Sequence, residues 1–249
     1  MKQIVPILLF AMVASAHADP PTQSDFSLPE SKSPTPPKLE LWATHYFVHA
    51  ASVVSTGIPL RDKSGTALTE NISPRDWCLG AIEGTVLVNS TDGPKTLNYA
   101  GTSGDPQVDC AATLNIDPAQ KPWITAVGKS YFAKAVGPYG DGVAGYILVP
   151  FRTVAVDKAK IPFGTVLYIP RARGAEVTVG AGQKIRHDGY FFAGDTGGAI
   201  KGNHIDVFCG ASSTNCFDGF IKSDESRTFE AFPIDDEAIK AKLQATHKP

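Results

Sequence analysis

The chain has no surplus of charge of either sign: 23 Lys and Arg stand against 25 Asp and Glu in 249 residues. With neither a basic stripe nor an acidic tail, nucleic acid and anionic membrane surfaces are poor partners for it. Beyond the N-terminus it has no apolar stretch approaching the roughly 18 residues of a spanning helix, so no integral membrane segment is expected. No CxxC pair occurs and the cysteine spacings fit no zinc module, so neither a metal centre nor a cofactor is expected. No repeat period stands out either.

What is present begins at the N-terminus. Lys2, the short apolar run "IVPILLFAMVASA" and the small-residue step "AHAD" read as a secretory signal peptide ending at Ala18. The protein is therefore expected to be exported, periplasmic or secreted, and soluble after processing. No cysteine follows the cleavage site, so a lipid anchor there is not expected. Residues 19–38, rich in Pro and Ser, lack the apolar surface to offset chain entropy and are expected to be a flexible linker. The rest, 43% hydrophobic over the whole chain, can supply a core. Four cysteines, Cys78, Cys110, Cys209 and Cys216, sit in a disulfide-permissive context. Of their three possible pairings we favour Cys209 with Cys216, closing a short Ser/Thr/Asn loop, and Cys78 with Cys110, stapling the middle segment.

From Leu39 onward the pattern is mainly β: "ELWATHYFVHAA", "GAIEGTVLVNS", "KTLNYAG", "GYILVPFRTVAV", "GTVLYIP", "EVTVGAG", "HDGYFFAGD" and "NHIDVFCG" are short branched and aromatic runs between turn residues. "NSTDGPKT" predicts a hairpin turn. Only the tail predicts a helix, capped at Asp235 or Asp236 with Ile239 and Leu243 on one face. Strands this short and closely spaced suggest a barrel.

The stretch "GDTGGAIKGNHIDVF", Gly194 to Phe208, carries the candidate chemistry. Strand alternation sends Ile205 and Val207 to one face and His204, Asp206 and Phe208 to the other. If Asp195 ends the preceding strand, the intervening loop brings the two carboxylates close, and one of two neighbouring acids keeps its proton toward neutral pH. Gly197 and Gly198 would leave the floor open to a bulky substrate, and Lys201 and His204 would contact its oxygens. Residue types alone leave this open, since Asp and Gly also build ordinary turns. His187, Asp188, Asp195, His204 and Asp206 together are a weaker metal alternative. Tyr131, Phe132, Tyr139 and Tyr146 are either a sugar platform or, more ordinarily, core.

"TVAVDKAKIPFGTVLYIP" followed by "HDGYFFAGDTGGAIKGNHIDVFCG" resembles the 3D domain, a family named for three aspartates, matched here by Asp157, Asp195 and Asp206. That domain is similar to the catalytic barrel of membrane-bound lytic transglycosylases and, more distantly, to the double-psi barrels of expansins. The resemblance spans about residues 143–210, with an echo in "WATHY" at 42–46. It implies a six-stranded double-psi β-barrel over 39–249 with an inserted or appended β-rich segment at 62–142, a possible second wall for a saccharide groove, and a short C-terminal helix. It also implies Asp206 as catalytic acid/base, Asp195 as the acid beside it, Thr44 lining the groove, Tyr46 against a sugar ring, and Asp157 as a structural turn residue. The implied partner is the glycan strand of peptidoglycan. The implied reaction cleaves the MurNAc-GlcNAc bond with formation of a 1,6-anhydro ring. A glycan-binding module of the expansin kind, without catalysis, and a hydrolase using water are the alternatives.

Overall fold

The computed structural model describes residues 26–30, 38–179 and 182–249; the expected signal peptide and the linker residues 19–25 and 31–37 lie outside the described residues. In chain order the strands are β1 (Leu39–Tyr46), β2 (His49–Arg61), β3 (Ala67–Ile72), β4 (Thr85–Ser90), β5 (Gly93–Thr102), β6 (Ser130–Lys134) and β7 (Thr153–Val156). There follow β8 (Val166–Tyr168), β9 (Glu176–Val179), β10 (Gln183–Arg186), β11 (Tyr190–Asp195), β12 (His204–Phe208) and β13 (Phe229–Pro233). The helices are α1 (Pro74–Glu83), α2 (Cys110–Leu114), α3 (Ile124–Val127) and α4 (Glu237–Thr246).

Six strands close into a barrel in the order β1-β12-β7-β11-β8-β13. Closure leaves no open edge, and in a barrel this small the alternate side chains must fill the interior. Ala43, Val154, Val156, Leu167, Phe191, Ala193, Ile205 and Val207 do so, all essentially inaccessible. The alternation read from "HIDVF" holds: Ile205 and Val207 are core, and Asp206 faces away.

A second sheet, ordered β3-β2-β4-β5-β6, starts at His49, directly after the first barrel strand and ahead of the boundary at 62 read from composition. Its own core gathers Leu60, Ile72, Trp77, Val86, Val88, Leu97 and Phe132. The expected hairpin joins β4 to β5, with Ser90 paired to Gly93 and Gly93 at φ 114°.

Two strand expectations fail. "GAIE" belongs to α1, whose start carries Pro74 after the N-cap Ser73; the Ser73 hydroxyl oxygen accepts from the Asp76 amide, and the helix ends on Gly84 at φ 85°. "GYILVPF" is buried but irregular, because Pro150 can offer no ladder donor and Phe151 sits at φ 63°. The C-terminal helix is α4, capped by Asp236 with Ile239 and Leu243 buried.

Both favoured disulfides are present, Cys78–Cys110 and Cys209–Cys216. The first ties α1 to α2. One part of the expected linker is held in place: Leu28 is buried and its amide donates to the Asp188 carboxylate at 3.0 Å. Residues 26–30 therefore do not behave as a free tether. The apolar pair Phe26 and Leu28 supplies the contact that the surrounding Pro/Ser composition concealed.

Candidate active site

Four neighbouring barrel strands set the site. Thr44 on β1 lies in register with Asp206 on β12, Asp206 with Ala155 on β7, and Ala155 with Asp195 on β11. The two carboxylates thus flank one strand, with the small Ala155 between them. A β-bulge between Ala193 and Asp195 re-aims the end of β11.

Each acid has its own hydroxyl partner. Thr44 Oγ1 donates to Asp206 Oδ1 at 2.6 Å, and Tyr46 Oη donates to Asp195 Oδ2 at 2.8 Å. Thr44 Oγ1 also lies 2.8 Å from His204 Nε2. The Thr44 hydroxyl thus bridges the imidazole and the carboxylate. The His204 ring is stacked on Trp42, centroids 3.7 Å apart and planes 4° apart. A chain His204 to Thr44 to Asp206 results, held from behind by Trp42.

Burial pushes the Asp206 carboxyl up from its ordinary value, against the Thr44 bond and the nearby His204 and His45, which pull it down. Burial likewise raises Asp195 to about 6, opposed by the Tyr46 and Thr196 hydrogen bonds, with the Asp206 charge the smallest contribution. This corrects the expected cause. Like-charge repulsion is minor because a strand separates the pair and each carboxylate is satisfied separately; loss of hydration is what raises both carboxyls.

Above these residues runs a cleft of about 400 Å³. Its barrel wall is Tyr46, Ala155, Asp195, Asp206 and the loop 196–200; its other wall is Ile82, Glu83 and Gly84 from the end of α1 and Thr85, Asn98 and Tyr99 from the second sheet. Gly197 and Gly198 line it, and a Cβ on Gly198 would meet nothing within 4 Å. That backbone is open to a ligand. Asp141 joins from below, accepting from the Asn98 side-chain amide at 2.8 Å.

Other expected ligands sit differently. His204 is buried behind Thr44 and does not line the cleft, and Lys201 is exposed outside it. Tyr46 is tied to Asp195 and its ring rests against Phe208, so it is a cleft wall rather than a free platform. Asp157 accepts from the amides of Gly202 and Ala159, which hold its carboxyl below the usual range. It fixes the turn and the far end of the 196–202 loop. Phe132 and Tyr139 are core, and Tyr146 packs edge-on against Phe192. His187 and Asp188 lie in a separate buried network around Arg152, so the five-residue metal alternative does not assemble.

Residues 152–225 match the family model of the 3D domain. That match contains Asp157, Asp195 and Asp206 and all of β7 to β12. Among solved structures the chain is similar to MltA from Escherichia coli, at 18% identity and a TM-score of 0.45, over 78% of this chain and 71% of that one. The same enzyme with bound chitohexaose matches at 18% identity, TM-score 0.42 and the same shares, 78% and 71%. LtgG, a lytic transglycosylase of Burkholderia pseudomallei, matches at 19% identity and 0.38, over 79% and 72%. No curated protein matches the chain in sequence.

Sequence reasoning missed Glu83, Asn98, Tyr99 and Asp141. Glu83 is the most consequential. It ends α1 on the wall facing the barrel, where burial, then the Asp206 charge, raises its carboxyl to about 7. The Ser73-Pro74 start and the Gly84 stop were readable signals for α1, and with it for an acid at the helix end.

Proposed function

We propose that this protein is a peptidoglycan lytic transglycosylase, acting on exported wall material. The observation that carries the reading is a largely buried aspartate at the floor of an open cleft, its carboxyl raised by burial, with a hydroxyl donor fixed behind it. The resemblance of the surrounding sequence to the 3D domain, and the family match over the same strands, support it.

Protonated Asp206 gives its proton to the glycosidic oxygen, and the MurNAc C1–O bond breaks with oxocarbenium character. The C6 hydroxyl of the same sugar attacks C1 and passes its proton to the Asp206 carboxylate, closing the anhydro ring and restoring the acid. The internal nucleophile replaces water through its high effective molarity. The Thr44 hydroxyl bond stabilises the carboxylate between the two transfers, and His204 holds Thr44 in place. Asp195, ionised above about 6, sits one strand away to balance positive charge at C1.

Digestion of purified sacculi tests the reading. Wild type releases 1,6-anhydromuropeptides; Asp206→Asn loses more than about a hundredfold of that rate while keeping its fold. Products heavier by one water would indicate hydrolysis. That second reading draws on the intervening strand, since carboxylates spaced apart leave room for a water between them. Sacculus binding with no product at all would leave only the binding module.

A further inference from the structure

Beside the acid cleft lies a second compartment of about 680 Å³, which shares Ile82, Tyr99, Gly198 and Ala199 with it and extends to Trp123 and Thr102. The two are consecutive stretches of one groove, running between the barrel loop and the second sheet. The farther stretch differs in chemistry: its lining holds no charged side chain, whereas the acid cleft holds four carboxylates, Glu83, Asp141, Asp195 and Asp206.

It also holds aromatic faces left in water. Trp123 is 48% exposed and Tyr99 42%, although both stand beside a well-filled core. Their positions are fixed by local structure. Tyr99 is aimed by a β-bulge between Tyr99 and Gly101, and its amide is bonded to the Gly84 carbonyl at 2.7 Å. Trp123 stands at the start of α3, with no capping side chain to draw it away. A rigid, amphipathic ring held half in water at small entropic cost is the usual means of engaging a flat ligand that is apolar on one face.

We propose that this compartment is a remote saccharide subsite, in which Trp123 and Tyr99 stack on a pyranose of the same glycan strand whose bond is cut over Asp206. The inference rests on the proposed glycan-cleaving function and deepens it. A pyranose chair presents C–H groups on its faces and hydroxyls at its rim. Such a ring suits two aromatic planes with the exposed Thr102 at the margin. The stem peptide of peptidoglycan carries carboxylates and amines, which would find no ionic partner on this lining, so the sugar is the occupant. Remote contacts of this kind make a site respond to chain length, because only a strand long enough to span both stretches gains their energy.

The test is binding of peptide-free chitooligosaccharides of two to six sugars, by calorimetry, to wild type, Trp123→Ala, Trp123→Phe and Val136→Ala, with sacculus digestion by each in parallel. Val136 is 71% exposed and outside both stretches. For Trp123→Ala we expect about a tenfold loss for the six-sugar chain, shrinking toward none for two sugars. Trp123→Phe should recover most of it, and Val136→Ala should match wild type. Equal affinities of Trp123→Ala and wild type at every length overturn the subsite, even while sacculi are still cleaved. A loss seen only with peptide-bearing muropeptides overturns the sugar assignment in favour of the stem. If wild type neither binds the six-sugar chain nor releases anhydro products, the functional reading itself falls and the subsite with it.

Discussion

Asp195 states the electrostatic logic of the site in one side chain. Its carboxyl is raised to about 6, chiefly by burial, against an unfolded value near 3.9. A raised folded pKa means that the fold disfavours the charged form, so stability is lost as pH climbs from about 4 through 6 and stays lost above. Asparagine keeps an acceptor for the Tyr46 hydroxyl and carries no charge. Asp195→Asn should therefore melt roughly 2–6 °C above wild type at pH 8, with the gap closing by about pH 4. Paired thermal scans across that range check it, and a gap that persists at pH 4 would show that packing, not charge, had changed. Much of this site was legible in the sequence, since alternation in "HIDVF" oriented Asp206 and the strand-end position offered Asp195 to the same surface. The physical cause was not legible. Hydration loss depends on the second wall, which no local pattern around the aspartates reveals, and His204, read as a ligand, is drawn back by its stack on Trp42.

At the scale of elements, α1 joins the groove to the second core. It carries Ile82 and Glu83 into the groove, buries Trp77 and Cys78 in the second core, and is joined to α2 through Cys78–Cys110. Composition alone reads the segment as a strand because branched and small residues around "GAIE" run straight into the true strand "TVLV". The cap signals at both ends, Ser73-Pro74 and Gly84, outweigh that composition. A cross-link over 32 residues contributes about 3–4 kcal/mol in the chain-entropy account, and it acts on the second sheet rather than the barrel. The Cys78→Ala/Cys110→Ala variant should accordingly exchange amide hydrogens faster across residues 74–114 than wild type, while barrel strands β7, β11 and β12 keep their protection. Uniform acceleration through both parts would show that the two sheets unfold as one unit.

Over the whole molecule, the barrel is tied to the N-terminal segment by a buried ion pair. Arg152, fully buried, donates to both oxygens of Asp188, at 2.5 and 2.7 Å, and to the Tyr190 carbonyl at 2.6 Å. Asp188 in turn accepts from the amides of Tyr190 and Leu28, and the Phe26 ring covers the guanidinium at 4.2 Å. Burial alone would raise the Asp188 carboxyl, but the Arg152 pair outweighs it and leaves the group below its ordinary value. Composition could not disclose this arrangement, because Phe26 and Leu28 lie far along the chain from the pair they cover and are embedded in a Pro/Ser-rich stretch. Removing one partner strands a charge in the interior, so Asp188→Asn should cost about 3–5 kcal/mol in urea unfolding. The paired Arg152→Met/Asp188→Leu change removes both charges and should lose much less, since the pair's attraction mostly offsets its own desolvation. If the double variant is as unstable as the single one, packing and the backbone bonds to Leu28 and Tyr190, rather than an unpaired charge, hold this end of the barrel closed.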